Sequence, residues 1–165
     1  MALLAQIVAT DASALEEVSR WLRDGSCDPA AIHLDAAVRT LTLPFEQEWR
    51  GEPAAGPPRR HVRRTWLYDE YELPHLAGRL LVHGARTARS RDAPDGPVTL
   101  AGVAHVPAIG GVRVDYGDGG WLEVAVDSLL VELEVGDRTA TLMRQRRGRW
   151  LPFSSTFEAR GRAPG

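Results

Sequence analysis

Two groups of arginine come nearest to a chemical function in this chain. Guanidinium groups that share a face bind phosphates and other anions, and neighbouring aromatic rings such as Trp66, Tyr68 or Trp150 can stack on nucleic-acid bases. The pattern is therefore typical of an anion-binding or nucleic-acid-binding surface, provided that the fold brings the two groups together. The groups are Arg59, Arg60, Arg63 and Arg64, and Arg144, Arg146, Arg147 and Arg149.

A solvated strand edge is the alternative interpretation of these arginines, because charge at an edge discourages sheet-to-sheet aggregation. We favour this interpretation for two reasons. The formal net charge of the chain is −2. All of its basic residues are arginine, and it contains neither Lys nor Asn. This bias is what a GC-rich bacterial genome imposes, so it weakens the argument that arginine was selected for phosphate binding.

The histidines, carboxylates and serines form no recognisable motif. The spacing of the histidines matches no compact metal-ligand pattern; they are His33, His61, His75, His83 and His105. The acidic residues Asp69, Glu70 and Glu72 are interpreted as partners of nearby arginines rather than as catalytic carboxylates. We therefore predict no metal, no cofactor and no catalytic residue.

The length and the cysteine content indicate one domain over residues 1–165 in a reducing compartment. A chain of 165 residues can bury a sizeable core. The single cysteine, Cys27, has no internal disulfide partner and is interpreted as an inert small side chain. The N-terminal ten residues have neither a leading positive charge nor the length of a membrane span. We expect a cytoplasmic protein without membrane contact.

One helix is predicted near the N-terminus, after a strand over Leu3–Val8. Asp11 is placed as the N-cap, and Gly25 stands just past the end as the C-terminal cap. The residues on one helical stripe are Leu15, Val18, Trp21 and Leu22. The pattern predicts a helix that covers a sheet.

The stretch from Gly110 to Arg144 predicts two β-hairpins at the centre of that sheet. A three-residue loop over 117–119 places Val114 opposite Leu122, Val112 opposite Val124 and Arg113 opposite Glu123. A two-residue turn at Gly136-Asp137 pairs Leu133 with Ala140 and Val131 with Leu142. That second register leaves Glu132 and Glu134 facing Thr141 and Thr139 on the solvent side.

The remaining segments alternate between short strands and loops. Strands are expected over Ile32–Leu34, Val38–Phe45, Arg59–Leu73, Gly78–His83, Pro97–Val103 and Trp150–Phe157. Residues 50–58 are expected to form a flexible internal loop, residues 84–96 an exposed loop, and residues 159–165 a frayed tail.

Together these elements predict an α+β fold. One N-terminal helix packs on a strongly bent, mainly antiparallel sheet, which is either barrel-like or two-layered.

Three short motifs resemble a small bacterial family, a domain of unknown function. The first is the D-A-x-x-L-x-x-x-S-x-x-L-x-D segment that begins at Asp11, and the second is the F-x-x-E-W strand end from Phe45 to Trp49. The third is the glycine-rich hairpin that leads to V-D-S-L at Val126–Leu129. The resemblance implies no activity and no site residue.

Three functions remain open. The leading hypothesis is a non-enzymatic protein-binding or assembly module, whose partner is a further copy of the chain or another protein. The second is an anion or nucleic-acid binder that uses the arginine groups, with nucleic acid less favoured. The third is an enzyme whose site is built from dispersed residues that spacing cannot reveal.

Overall fold

The computed structural model describes residues 5–48, 60–64, 68–92, 95–146 and 156–160. Within these ranges the chain forms one α-helix, two short 3₁₀ helices and twelve strands. The strands are β1 Ala5–Ala9, β2 Ser26–Cys27, β3 His33–Asp35, β4 Thr40–Glu48, β5 Arg60–Arg64, β6 Tyr68–His83, β7 Ala85–Arg91, β8 Val98–Val106, β9 Gly111–Tyr116, β10 Trp121–Val126, β11 Val131–Arg146 and β12 Thr156–Arg160. The helix α1 is Ala12–Leu22, and the 3₁₀ helices are Pro29–Ala31 and Pro107–Ile109.

The chain divides into two compact units. The larger unit comprises Met1–Gln47 and Ala77–Asp137, and the smaller unit comprises Glu48–Leu76 and Arg138–Gly165. In the larger unit the strand order is β1-β11-β6-β4-β2-β8-β9-β10-β7, and β3 pairs with β4. In the smaller unit β5 pairs with β6, and β12 pairs with β11.

The predicted α+β class is confirmed: the fold is mainly antiparallel sheet with one helix. Among the described strands the order is open, with β1 at one end and β7 at the other. The barrel-like alternative therefore has no support from the strand order.

The helix forms where the sequence predicts it. The Asp11 side chain accepts a hydrogen bond from the Ala14 N–H at 2.8 Å, and Leu15, Val18 and Leu22 are buried. The helix end differs in one detail, because Asp24 and not Gly25 occupies the left-handed region, with φ of 65°.

The helix packs against β8, where a β-bulge interrupts the pairing with β9 between Leu100 and Gly102. The Ser19 hydroxyl accepts a hydrogen bond from the Val103 N–H at 3.0 Å. A Cβ atom on Gly102 would lie 2.5 Å from the Ser19 Oγ. Ser19 and Gly102 thus allow helix and sheet to approach closely.

The first predicted hairpin is confirmed in register. Val114 pairs with Leu122, Val112 with Val124 and Arg113 with Glu123. The Tyr116 N–H donates to the Gly120 carbonyl at 2.8 Å, which encloses the three-residue loop 117–119. Gly119 adopts a φ of 95°, as the last residue of such a loop requires.

The second predicted hairpin is wrong. No turn occurs at Gly136-Asp137, because β11 continues from Val131 to Arg146. Ala5–Ala9 pairs instead with Val135–Val131 in antiparallel register. The N-terminal strand β1, which is distant in sequence, therefore pairs with Val131–Val135, where the local pattern predicts the residues after the turn.

Two further expectations need correction. The sequence predicts a loop over residues 84–96, whereas Ala85–Arg91 forms β7 at the sheet edge and pairs with β10. The side chains from Arg86 onward in this strand are exposed, which is why the strand reads as a loop. The single strand predicted over Arg59–Leu73 is instead an antiparallel pair, β5 with the first part of β6.

Several expectations lie on residues outside the described ranges. They include the flexible loop predicted over residues 50–58 and most of the tail predicted over residues 159–165. The first two residues of that tail, Ala159 and Arg160, belong to β12. The part of the predicted last strand before Thr156 also lies outside them. No helix among the described residues is long and apolar enough to cross a membrane.

Candidate functional site

A row of four hydrogen-bonded side chains crosses four neighbouring strands of the larger unit. These residues, which we call the polar row, are Thr40 on β4, His83 on β6, Glu132 on β11 and Gln6 on β1. The Thr40 Oγ1 lies 3.3 Å from the His83 Nδ1, and the His83 Nε2 lies 3.1 Å from the Glu132 Oε2. The Gln6 amide donates to the other oxygen of the same carboxylate.

Strand alternation places the polar row on the face opposite the core. The residues next to three of its members, Leu41, Val82 and Leu133, are at most 1% exposed. The row itself is only half-buried: the His83 side chain is 32% exposed and the Glu132 side chain 19%. The prediction that Glu132 faces Thr141 in solvent is therefore wrong, because its partners come from β1 and β6.

Hydrogen bonding sets the charge of this face. The Gln6 amide lowers the pKa of Glu132, burial opposes this effect, and the contact with His83 lowers it further. The adjacent Glu134, 8% exposed, accepts a hydrogen bond from the Arg79 guanidinium, and this bond raises the pKa of Arg79. The Glu132 carboxylate is thus held in its ionised form.

An ion cluster, which we call the arginine bridge, includes Arg39, the residue that directly precedes Thr40 in the chain. The Asp127 carboxylate contacts Arg39 at 2.5 Å and Arg86 at 3.5 Å. The Ala85 N–H donates to the Arg39 carbonyl at 2.8 Å, and the Asp127 N–H donates to the Gly84 carbonyl at 3.2 Å. Two guanidinium groups share one carboxylate here, so the cluster carries an excess of one positive charge.

The two outermost strands of the larger unit differ in composition. The edge strand β7 carries Arg86, Arg89 and Arg91, all exposed. The edge strand β1 has the sequence AQIVA without any charge, and Val8 is 53% exposed. Among the described strands, β1 pairs with β11 alone.

A second polar cluster surrounds Trp121 on β9, β10 and β7. The Arg89 and Arg113 guanidinium carbons lie 5.6 Å and 5.3 Å from the centroid of the indole ring. Arg89 also bonds the buried Glu123 carboxylate at 2.6 Å, and Arg113 bonds Asp115 at 2.7 Å. Each guanidinium therefore already has a carboxylate and a ring as partners.

A shallow groove of about 370 Å³ lies between β2, β4 and β6. Its floor forms where the Phe45 ring packs over Gly78, at which a Cβ atom would come within 2.6 Å of the ring. Asp28 and Glu46 supply the two carboxylates among the groove residues, but Asp28 already accepts a hydrogen bond from the Ala30 N–H.

The first arginine group lies mainly on β5, which pairs with an acidic segment of β6. The register sets Arg60 opposite Glu72, Arg63 opposite Glu70 and Arg64 opposite Asp69. The Arg64 Nε lies 3.8 Å from the Asp69 carboxylate. Arg59 lies outside the described residues.

The second arginine group is described only in part. Arg144 and Arg146 lie on β11, and Arg144 pairs with Thr156 of β12. Arg147 and Arg149 lie outside the described residues. The prediction that all eight arginines form an anion site stays a prediction.

Local spacing does not predict the polar row, since its members are separated by between 34 and 126 residues along the chain. His33 and His105 are exposed on β3 and β8, whereas His83 is hydrogen-bonded on both ring nitrogens. No group of three or more metal-ligating side chains occurs among the described residues.

In comparisons with known proteins, no protein family, no curated protein and no solved structure matches the chain. The resemblance to a bacterial family of unknown function therefore stays a prediction.

Proposed function

We propose that this chain is a protein-binding or assembly module that adds a strand to its sheet at β1. The observation that supports the proposal is the contrast between the two edges. Proteins that must remain monomeric protect sheet edges with charge. Three arginines occupy β7, whereas β1 has no charged residue and leaves Val8 53% exposed.

The partner that fits the β1 edge is a second copy of the same strand. An antiparallel two-fold pairing centred on Ile7 sets Gln6 opposite Val8 of the partner copy and Ala5 opposite Ala9. No charged side chains oppose one another in this register, and the interface is self-complementary, as a two-fold dimer requires. The same operation on β7 would bring six arginines together.

The polar row supports this use of β1. Gln6 is tied to Glu132 by its side chain, and the backbone of β1 is paired along its whole length with Val131–Val135. An edge that is held in a fixed, extended conformation loses less conformational entropy when a partner strand adds to it.

The test is the association constant of the purified chain, measured by sedimentation equilibrium. Val8→Arg introduces on β1 a positive charge like those that β7 carries. Position 8 lies opposite Glu132. Because the Glu132 carboxylate is a partner for the new charge, we expect the monomer to stay folded. We expect a dimer whose dissociation constant rises by about tenfold or more in Val8→Arg. The matched control is Val38→Arg, another exposed valine, which should leave the dimer intact.

A monomer at the highest attainable concentration would remove the proposal that the partner is a second copy. Equal weakening by Val8→Arg and Val38→Arg would remove the assignment to β1.

A further inference from the structure

We propose that Thr40, His83 and Glu132 form a nucleophilic site, in which the Thr40 hydroxyl accepts the acyl group of a small, negatively charged activated ester. This inference is independent of assembly at β1. Three residues from three neighbouring strands place a hydroxyl, an imidazole and a carboxylate in line, at 3.3 Å and 3.1 Å. This is the arrangement that activates a hydroxyl nucleophile.

Glu132 is the positioning residue of the site. The Gln6 amide holds one of its oxygens and the His83 Nε2 faces the other. Because the carboxylate accepts the Nε2 proton, the lone pair of the neutral imidazole is directed at Thr40 through Nδ1. Nδ1 is then the general base for the hydroxyl.

The Thr40 hydroxyl has one proton and two acceptors for it. The carbonyl of Val38 lies 3.3 Å from Oγ1, the same distance as the His83 Nδ1. Rotation of the hydroxyl towards Nδ1 prepares the site, and rotation towards Val38 leaves it at rest. Only the first rotamer delivers the proton to the base.

The Thr40 side chain is accessible to solvent, and the turn that precedes it contains a strained residue. Thr40 and His83 are partly exposed, so a small ester can reach the hydroxyl. The preceding residue, Arg39, has a φ of 53°. Its turn is held by the Asp35 carboxylate, which accepts from the Ala37 N–H at 2.8 Å and the Val38 N–H at 3.3 Å. Few non-glycine residues adopt this left-handed conformation, and those that do cluster at functional sites.

The arginine bridge sets the substrate class. Arg39 and Arg86 share the single carboxylate of Asp127, and the side chains of all three residues are about half exposed. Arg39 directly precedes Thr40 in the chain, and the two guanidinium groups of the arginine bridge favour an acyl group that carries its own carboxylate, although the Glu132 carboxylate on the other side of His83 offsets part of their charge. A neutral acyl group gains nothing from this cluster.

The reaction proceeds in two balanced steps. The Thr40 oxygen attacks the carbonyl carbon while its proton passes to His83 Nδ1, and the bond from carbon to the leaving oxygen breaks as His83 returns the proton to that oxygen. A water molecule then attacks the threonyl ester. It gives one proton through His83 to the Thr40 oxygen, so that the carboxylic acid is released and the site restored.

The experiment compares para-nitrophenyl acetate with mono-para-nitrophenyl succinate, which adds a carboxylate to the same leaving group. Release of nitrophenol gives the rate, and mass spectrometry of the intact and digested chain locates the acyl group. The variants are Thr40→Val, Thr40→Ser, His83→Gln, Glu132→Gln and Arg86→Gln. Thr42→Val is the control, since Thr42 follows on the same face of β4.

We expect acylation at Thr40, with the succinate preferred. Thr40→Val and His83→Gln should lower the rate by about a hundredfold, Thr40→Ser should retain it, and Thr42→Val should leave it unchanged. Glu132→Gln should change the pH profile of the rate, which a merely structural role would not. Arg86→Gln should reduce the preference for the succinate, so that the rate with the succinate falls more than the rate with the acetate.

Equal rates in Thr40→Val and the unmodified chain would overturn the proposal. An acyl group found on His83 or elsewhere, with none on Thr40, would also overturn it. Circular dichroism confirms that each variant is folded, and His83→Gln together with the location of the acyl group keeps the test valid if Thr40→Val does not fold.

Discussion

The hydroxyl of Tyr116 is buried without a hydrogen-bond partner among the described residues. The residue is 3% exposed, and burial raises the pKa of its phenol to about 12, assisted by Cys27 and Asp118. An unsatisfied buried hydroxyl costs free energy that its removal recovers. We therefore expect Tyr116→Phe to raise the free energy of unfolding by about 1 kcal/mol. Chemical denaturation checks this, and Tyr116→Leu, which removes the ring, should lower stability instead.

The thiol of Cys27 should be inert in the folded chain. It is 2% exposed, and burial, with a smaller contribution from Asp28, raises its pKa to about 12. Because a raised pKa disfavours the reactive thiolate, we expect no reaction with Ellman's reagent near pH 8 until denaturant is added. Stoichiometric labelling of the native chain would contradict this expectation.

The ionisation of the Glu132 side chain makes the stability of the fold depend on pH. Its pKa is lowered from 4.5 in the folded chain, mainly by Gln6. A depressed pKa contributes stability above the unfolded value, and this contribution is lost as the pH falls through the folded value. We expect Gln6→Ala to lower the melting temperature near neutral pH and to lose this difference in acid. Glu16→Gln, an exposed helix variant, should show no such convergence.

At the scale of single residues, the sequence predicts partners that are close along the chain. Arg113 and Glu123 are ten positions apart, and a local hairpin rule pairs them correctly. Glu132 finds its partners at Gln6 and His83. Period-two alternation shows that Glu132 faces outward but carries no information about which strand comes to lie beside it.

At the scale of elements, the contact between α1 and β8 depends on Ser19. Its hydroxyl accepts from the Val103 N–H, and Val103 is 5% exposed. We expect Ser19→Ala to destabilise the fold by about 1–3 kcal/mol, because it leaves a buried N–H group unsatisfied. Ser13→Ala is the control, since Ser13 is an exposed residue of the same helix. Equal effects of the two substitutions would exclude the role of this contact.

The elements that the sequence predicts well have signals of their own. An N-cap and an apolar stripe define α1, and a glycine in the left-handed region defines the β9–β10 loop. The prediction fails at Gly136-Asp137, where the turn signal is equally strong. There the pairing with Ala5–Ala9 outweighs the local preference, and β7 is missed because an edge strand with exposed side chains lacks alternation.

At the scale of the whole molecule, the two edge strands of the larger unit differ in charge: β7 carries three arginines and β1 has no charged residue. The arginines of β7 are interpreted as a barrier to further pairing. Arg91 contacts the exposed Asp92 at 3.3 Å, and Arg86 contacts the exposed Asp127. Neither arginine neutralises a buried charge, and among the described residues the one further bond that the replacement removes is from Arg86 to the Val126 carbonyl, at 3.3 Å.

The double variant Arg86→Thr, Arg91→Thr should therefore remain folded but associate. Threonine favours the strand conformation, and the change leaves Arg89, which bonds the buried Glu123, in place. We expect concentration-dependent light scattering and slow precipitation. The control is Arg20→Thr, Arg23→Thr at the end of α1, which changes the net charge by the same amount at two exposed positions. If both variants scatter alike, net charge and not the β7 edge governs solubility. If neither associates, the arginines are not the barrier at this edge.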